Sequence, residues 1–558
     1  MKVSLLPGPI EREFRTRLRA LENDRFAERL RKKEPGLWSS DASVRRAIAN
    51  RLGWLDLFDD MEEEAESVLR FAGDARREFQ SVLLLGMGGS SLAPEVLART
   101  FGRRREGVPL LVLDSTHPEA VREAEEALDL RRTLVVVASK SGTTVEADAF
   151  RRFFASRIKD PRCFVAITDA GSPLDRLASE EGWRRVFRNP LDIGGRFSAL
   201  SLFGLVPASL LGLDPRLLLR SGREAAMVCA APAGGEENPG LALGAFLAEG
   251  ALAGRDKLTL LVSPELPGFG AWIEQLVAES TGKEGKGILP VDGEPAAPPD
   301  AYGDDRMFAI VRCEEAEDRL EESGRALAAA GHPVATIRIP RSIDLGGAFY
   351  LWEVATACAC SILGVNAFDE PNVSESKERT GALLSEFART GRLEEGAVRF
   401  EDGKALLFSD TNLEAPNVSS VNEWLRAHLS RARDGDYLAL LFFLSSSLAG
   451  SKPAADLRAA LRERTGLAVS AGIGPRYLHS TGQLFKGGPN RGVFVLLTAA
   501  DSGDLSIPGL PYSFGVLCRA QAAGDFGALA AHGRRVLRVH FKSDPEVGIG
   551  SLARGAVG

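Results

Sequence analysis

SKSGTTVE, residues 139–146, crowds four hydroxyl side chains into one short loop: Ser139, Ser141, Thr143 and Thr144. The apolar run TLVVVA precedes it and a helical pattern follows, so the hydroxyls stand at a strand exit and a helix start. Hydroxyls together with the free N–H groups of a helix N-terminus suit a phosphate monoester, which offers several acceptor oxygens. Lys140 adds positive charge. A helix N-cap accounts for one Ser or Thr, not for four. Two further small-residue loops share this setting. GMGGSS, residues 86–91, follows an apolar strand and opens a helix. Ser91 stands where a G-x-G-x-x-G dinucleotide fingerprint requires its last Gly. What remains is a set of backbone N–H groups and the Ser90 hydroxyl, beside Gly89, facing a strand-to-helix crevice. In GGRFSALS, residues 194–201, two glycines let the backbone come close to a neighbour and carry Arg196 into a crevice. AESTGKEGKG, residues 278–287, closes a helix, with Gly282 as its stop signal and Glu279 in the last turn. On that stretch alone, Glu279 is an ordinary solvated carboxylate with lysines nearby.

These residues need rigid elements to bring them together. SVLLLGM, PLLVLDS, TLVVVAS and RCFVAITD are apolar strands alternating with helical patterns. That alternation predicts a parallel sheet covered on both faces. KLTLLVS, MFAIVRC and PVATIRI, with AWIEQLVAES, EDRLEESGRALAAAG and AFYLWEVATACACSILG between or after them, predict a second unit of the same layout. PAGGEENPG, residues 232–240, reads as the turn or hinge between the two. Residues 1–75 are charge-rich and helical in pattern. From 386 to 558, KALLFSD, YLALLFFL, VFVLLTA and VLRVHFK alternate with helices and read as a separate α+β domain. The expected organisation is therefore α/β: an N-terminal helical segment (1–75), two doubly wound domains (76–235 and 236–385) and the C-terminal α+β domain (386–558).

Composition narrows the class. A chain of 558 residues calls for several domains, and 44% apolar residues suit folded cores. A net charge of -7 gives the whole chain no attraction for nucleic acid or an anionic membrane. Pro7 and the charges after it interrupt the first apolar stretch before a signal-peptide core forms, and no run of about 20 apolar residues exists to span a bilayer. The six cysteines are scattered. Cys358 and Cys360 fall two apart in a helical pattern, where side chains do not face each other, so buried thiols are expected rather than a metal site or disulfide. The expected compartment is the reducing cytoplasm.

Five stretches in order, GMGGSS, SKSGTTVE, GGRFS, AESTGK and LGVNAFDEPNVSESK, resemble phosphoglucose isomerase over residues 80–380. From about residue 385 the chain resembles the tail of the isomerase part of bifunctional transaldolase/phosphoglucose isomerases. The eightfold strand–helix pattern of a transaldolase barrel is not present. The resemblance implies two sugar-isomerase domains with a sugar phosphate in the crevice between them, and no metal or organic cofactor. The implied reaction interconverts glucose 6-phosphate and fructose 6-phosphate in glycolysis and gluconeogenesis. It implies that Ser139, Ser141 and Thr144 hold the phosphate with Lys140 nearby, and that Gly89 and Ser90 line the sugar site. Arg196 would sit by the reacting oxygens, Gln275 and Glu279 would share one helix face with Glu279 as the catalytic carboxylate, and Lys377 would match a late lysine of the second domain. Two positions depart from the pattern. Glu370 stands where the family carries Gln. The expected ring-opening His after Glu279 is missing, since no His occurs between 279 and 332. His479, in the Ser-, Thr- and Gly-rich RYLHSTGQ, is the favoured candidate, with His332 and the Tyr302 region as alternatives. Family members commonly form homodimers that share a histidine between subunits, and here the C-terminal domain is a candidate to supply that contact. Rival readings are dual glucose/mannose 6-phosphate specificity, and a non-catalytic sugar-phosphate sensor, which would not need Glu279 and Arg196 together.

Overall fold

The computed structural model describes all residues except 103–106, 232–236, 315–318, 415–417, 501–502 and 558. The hinge expected at 232–240 thus lies partly outside the described residues, and a helix resumes at Pro239.

Three sheets organise the molecule. In the first, strands run in the spatial order Leu110–Leu113, Ser81–Gly86, Thr133–Ala138, Phe164–Asp169, Arg185–Asn189, all parallel. Ser81–Gly86 and Thr133–Ala138 are buried at every position, which is why they read as unbroken apolar runs. The chain leaves Ser81–Gly86 toward one edge and returns to Thr133–Ala138 on its other side. That reversal opens a crevice at the carboxyl ends of these two strands, the usual ligand position in such sheets. The loops leaving them are GMGGSS and SKSGTT.

The second sheet has the order Lys2–Leu6, Val334–Ile339, Arg306–Cys313, Lys257–Val262, Leu289–Val291. Its last four strands are parallel. Lys2–Leu6, expected within a helical segment, instead pairs antiparallel with Val334–Ile339 and closes that edge. Helix Phe269–Thr281 follows Lys257–Val262 and carries Gln275 and Glu279. Helix Leu345–Leu363 is buried along almost its whole length, including Cys358 and Cys360. Burial pushes the Cys360 thiol up to about 12.

The third sheet has the order Phe400–Glu401, Ala405–Ser409, Arg535–Phe541, Gly492–Ala499, Tyr437–Phe443, Ala468–Ile473. Its last four strands are parallel and only the first two add antiparallel. The C-terminal unit expected as α+β is therefore a mixed sheet with a parallel core. It has its own apolar core and also packs on both upstream units. Phe514, Leu517 and Ala520 join Phe150 and Phe153 of the first, and Tyr477, Leu484 and Phe485 join Ala278 and Leu289 of the second.

Candidate active site

A cleft of about 300 Å³ lies where the three units meet. Its floor is the contact between two glycine loops. Gly88 has φ +56°, a left-handed conformation that favours glycine, and a Cβ there would stand 2.8 Å from Gln275 Nε2. A Cβ on Gly89 would stand 2.0 Å from the Gly195 carbonyl oxygen. The GMGGSS loop therefore lies directly against the turn Gly195–Phe197, which carries Arg196.

Arg196 is 5% exposed, and each part of its guanidinium has a partner. Nε donates to Ser280 Oγ at 2.9 Å, and Nη2 donates to the carbonyls of Ala367 (2.7 Å) and Asp369 (2.8 Å). Nη1 lies 3.1 Å from Glu370 Oε2 and 3.4 Å from Glu279 Oε1. Burial works against its charge, but the two carboxylates outweigh that and raise its pKa further. Arg196 is thus a fixed cation, immobilised by protein oxygens on all sides.

Glu279 is 8% exposed and sits in the last helical turn, the negative end of the helix dipole. Burial, with the Glu370 carboxylate adding to it, raises its pKa; Arg196 and Gln275 act in the opposite sense. Gln275, one turn earlier, donates from Nε2 to Glu279 Oε2 at 3.1 Å and to the His479 carbonyl at 2.8 Å. Its Oε1 is buried with no hydrogen-bond donor among the described residues, an acceptor on the cleft wall suited to a ligand hydroxyl.

The opposite wall is the hydroxyl loop. Ser141 and Thr144 line the cleft. Thr144 precedes helix Val145–Arg157 without capping it, and the N-terminus of a helix favours an anion. Ser139 does not line the cleft. Its hydroxyl is 2.8 Å from Thr144 Oγ1 and accepts from Gly142 N at 3.1 Å, bracing the loop from behind. Lys140 lines the cleft, but its ammonium donates to Asp169 Oδ2 at 2.5 Å and to the Leu191 carbonyl at 3.3 Å. Gly89, Ser90, Lys377 and His479 complete the wall. Lys377 stands on helix Val373–Thr390, exposed, and its ammonium has no hydrogen bond or ion pair among the described residues.

His479 belongs to the turn Arg476–His479 of the C-terminal unit, just beyond strand Ala468–Ile473. Its Nε2 lies 3.0 Å from Glu146 Oε1. Burial raises the Glu146 pKa, but the His479 imidazole and then Lys377 outweigh it, so the carboxyl is held below its usual range. An anionic Glu146 is suited to accept from the imidazole Nε2. His332 and Tyr302 are elsewhere: their rings pack edge to face at 6.5 Å, and neither lines the cleft. Glu146 is a site residue that sequence reasoning passed over. An acidic residue in a first helical turn is common, and nothing local marks it as the partner of an imidazole 333 positions away.

A hydroxyl-rich anion loop, a buried carboxylate and a fixed guanidinium at the switch point of paired parallel-sheet units define a phosphosugar-isomerase type of protein. The chain superposes on a hypothetical protein, TT0462, from Thermus thermophilus with a TM-score of 0.58, at 27% identity, over 69% of this chain and 100% of that one. It shares its fold with a glucose-6-phosphate isomerase from Chlamydia trachomatis, TM-score 0.55 at 20% identity, over 66% and 86% of the two chains. The sequence model described as Phosphoglucose isomerase matches residues 20–288. A glucose-6-phosphate isomerase of Citrifermentans bemidjiense is 31% identical over 359 residues, spanning 56% of this chain and 67% of the relative. One from Desulfitobacterium hafniense (strain Y51) is 27% identical over 383 residues, spanning 59% and 72%. The chain belongs to the phosphoglucose isomerase family.

Proposed function

We infer that the chain interconverts glucose 6-phosphate and fructose 6-phosphate through an enediol, a step of glycolysis and gluconeogenesis. Its family and its relatives named glucose-6-phosphate isomerase support the reaction. The observation that carries the assignment of roles is the Glu279 carboxylate, 3.4 Å from the Arg196 guanidinium in a cleft whose far wall is the hydroxyl loop. In this reading Ser141, Thr144 and the helix N-terminus behind them grip the phosphate, with Ser139 bracing the loop. Binding energy from that remote group orients the reacting carbons. Gly89, Ser90 and Gln275 line the sugar.

Ring opening comes first. One group gives a proton to the ring oxygen while another takes the proton of the anomeric hydroxyl; Lys377 and His479 divide that work. Glu279 then removes the proton from C2 of the open aldose. The electron pair moves through C1–C2 to the carbonyl oxygen, giving an enediolate whose negative charge faces Arg196. The hydroxyl proton passes from O2 to O1, Glu279 delivers a proton to C1, and the C2 carbonyl of the ketose forms. A carboxylate with a raised pKa is matched to taking up and giving back a proton near neutral pH. All of these groups come from one chain.

Glu279→Gln is expected to lower kcat by about 10² to 10⁴-fold while inorganic phosphate still competes for the hydroxyl loop. Turnover near the wild-type rate in that variant would remove Glu279 from the role. Ser141→Ala and Thr144→Ala should act mainly on KM, whereas a purely structural loop would lose melting temperature with unchanged kinetics.

A further inference from the structure

Helix Phe514–Ala531 of the C-terminal unit touches the machinery on both sides of the cleft without lining it. Gln521 and Asp525 are one turn apart and share a face; they are 4% and 1% exposed. Gln521 Oε1 accepts from Thr116 Oγ1 at 2.6 Å, which fixes the amide so that Nε2 donates to Glu146 Oε1 at 2.8 Å. That carboxylate oxygen is the one paired with His479. Asp525 Oδ1 accepts from Ser376 Oγ at 2.9 Å and from Lys486 Nζ at 2.7 Å, and Oδ2 accepts from Tyr477 Oη at 2.6 Å. Ser376 adjoins Lys377, and Tyr477 is two residues before His479 in the same turn. Gly524, between the two acceptors, lets the helices meet: a Cβ there would stand 2.7 Å from Thr380 Oγ1.

We propose that this helix is the positioning element for ring opening, with Gln521 orienting the imidazole through Glu146 and Asp525 setting the distance between Lys377 and His479. The proposal rests on the reading that Lys377 and His479 open the ring. The Lys377 ammonium has no side-chain partner among the described residues to place it, so its location is set by where helix Val373–Thr390 docks. Asp525 governs that docking through Ser376. The same carboxylate fixes the turn that carries the imidazole. Both members of an acid–base pair are thereby referred to one rigid helix, and neither Gln521 nor Asp525 touches the carbons between which Glu279 moves a proton.

That separation gives a test. 5-Deoxyfructose 6-phosphate lacks the hydroxyl that closes the ketose ring, stays open, and still exchanges a C1 proton with solvent deuterium through Glu279. Gln521→Met and, as a gentler change on the other arm, Ser376→Ala are expected to lower kcat for fructose 6-phosphate by about 10-fold or more, by analogy with outer-shell groups that orient metal ligands. Deuterium exchange into the open analogue should be unchanged. Equal losses on both substrates would mean a merely structural helix, and no loss on either would mean no positioning role; each result overturns the proposal. Lys377→Met and His479→Asn provide the separate control. If they lose exchange into the open analogue as well, or keep full turnover of fructose 6-phosphate, the ring-opening reading fails whatever Gln521 does.

Discussion

Arg196 faces two carboxylates, and the one at Glu370 is where this chain departs from the Gln that its family resemblance predicts. Glu370 accepts from the guanidinium at 3.1 Å, nearer than Glu279 at 3.4 Å, and so takes part of the cation that would otherwise hold Glu279 ionised. It also repels the ionised form of Glu279 directly. Both effects raise the pKa of Glu279, so activity that needs its anion is lost at a higher pH on the acid side than an ordinary Glu would give. Glu370→Gln removes a negative neighbour and frees the guanidinium, and each change favours the ionised form. The acid limb of the kcat/KM profile should therefore move to lower pH; a shift upward, or none, would show that Glu370 does not tune the base. At this scale much of the cleft was legible. Glu279, Arg196, Gln275 and the hydroxyl loop are marked by small residues and by order along the chain. Glu146 and Gln521 carry no local mark, because their importance comes from partners hundreds of residues away. Lys140 is legible as a charge, but not as one already engaged by Asp169.

Elements were readable where they form continuous apolar runs, and several strands that end a sheet were obscure. Arg185–Asn189, Leu289–Val291 and Ala468–Ile473 carry charges, a proline or glycines, and each ends its sheet. An edge strand needs no continuous apolar run, so nothing in composition separates it from a loop. Missing Ala468–Ile473 hides the strand–helix–strand alternation of the C-terminal unit, and with it the parallel core. Helix Val421–Leu429 in that unit contains a pH-sensitive residue. His428 is fully buried, its Nε2 lies 3.0 Å from the Phe494 carbonyl, and burial brings its pKa down to about 3. The unfolded chain takes up that proton near pH 6.5, whereas the folded chain refuses it until far lower pH. Between those values the unfolded state binds more protons, so stability falls as pH falls. Thermal melts from pH 7 to pH 4 should show a decline that is shallower in His428→Gln; identical slopes would assign the acid sensitivity to other groups.

The whole molecule is a junction of three sheets, and one side chain of the C-terminal unit reaches two carboxylates of the first. Arg476, in the same turn as His479, donates to Asp114 Oδ1 at 2.9 Å, with Nε 2.8 Å from Asp114 Oδ2 and Nη1 2.9 Å from Glu95 Oε2. Arg476→Met leaves the buried Asp114 without its cation, a loss on the order of 3–5 kcal/mol. Melting temperature and turnover of fructose 6-phosphate should fall together, since the turn that docks the C-terminal unit also carries the imidazole. Full turnover in a variant that melts earlier would separate docking from catalysis. Lys377 comes from helix Val373–Thr390 and His479 from the C-terminal unit, so only the assembled junction places those two groups beside the rest.

The strand Lys2–Leu6 bears on how the chain is made. It is translated well ahead of its hydrogen-bonding partner, Val334–Ile339, which leaves the ribosome more than 300 residues later. At about 5–20 residues per second, Lys2–Leu6 stays without the strand it pairs with for tens of seconds. Throughout that interval its backbone N–H and C=O groups have no ladder to join, and the finished protein supplies one.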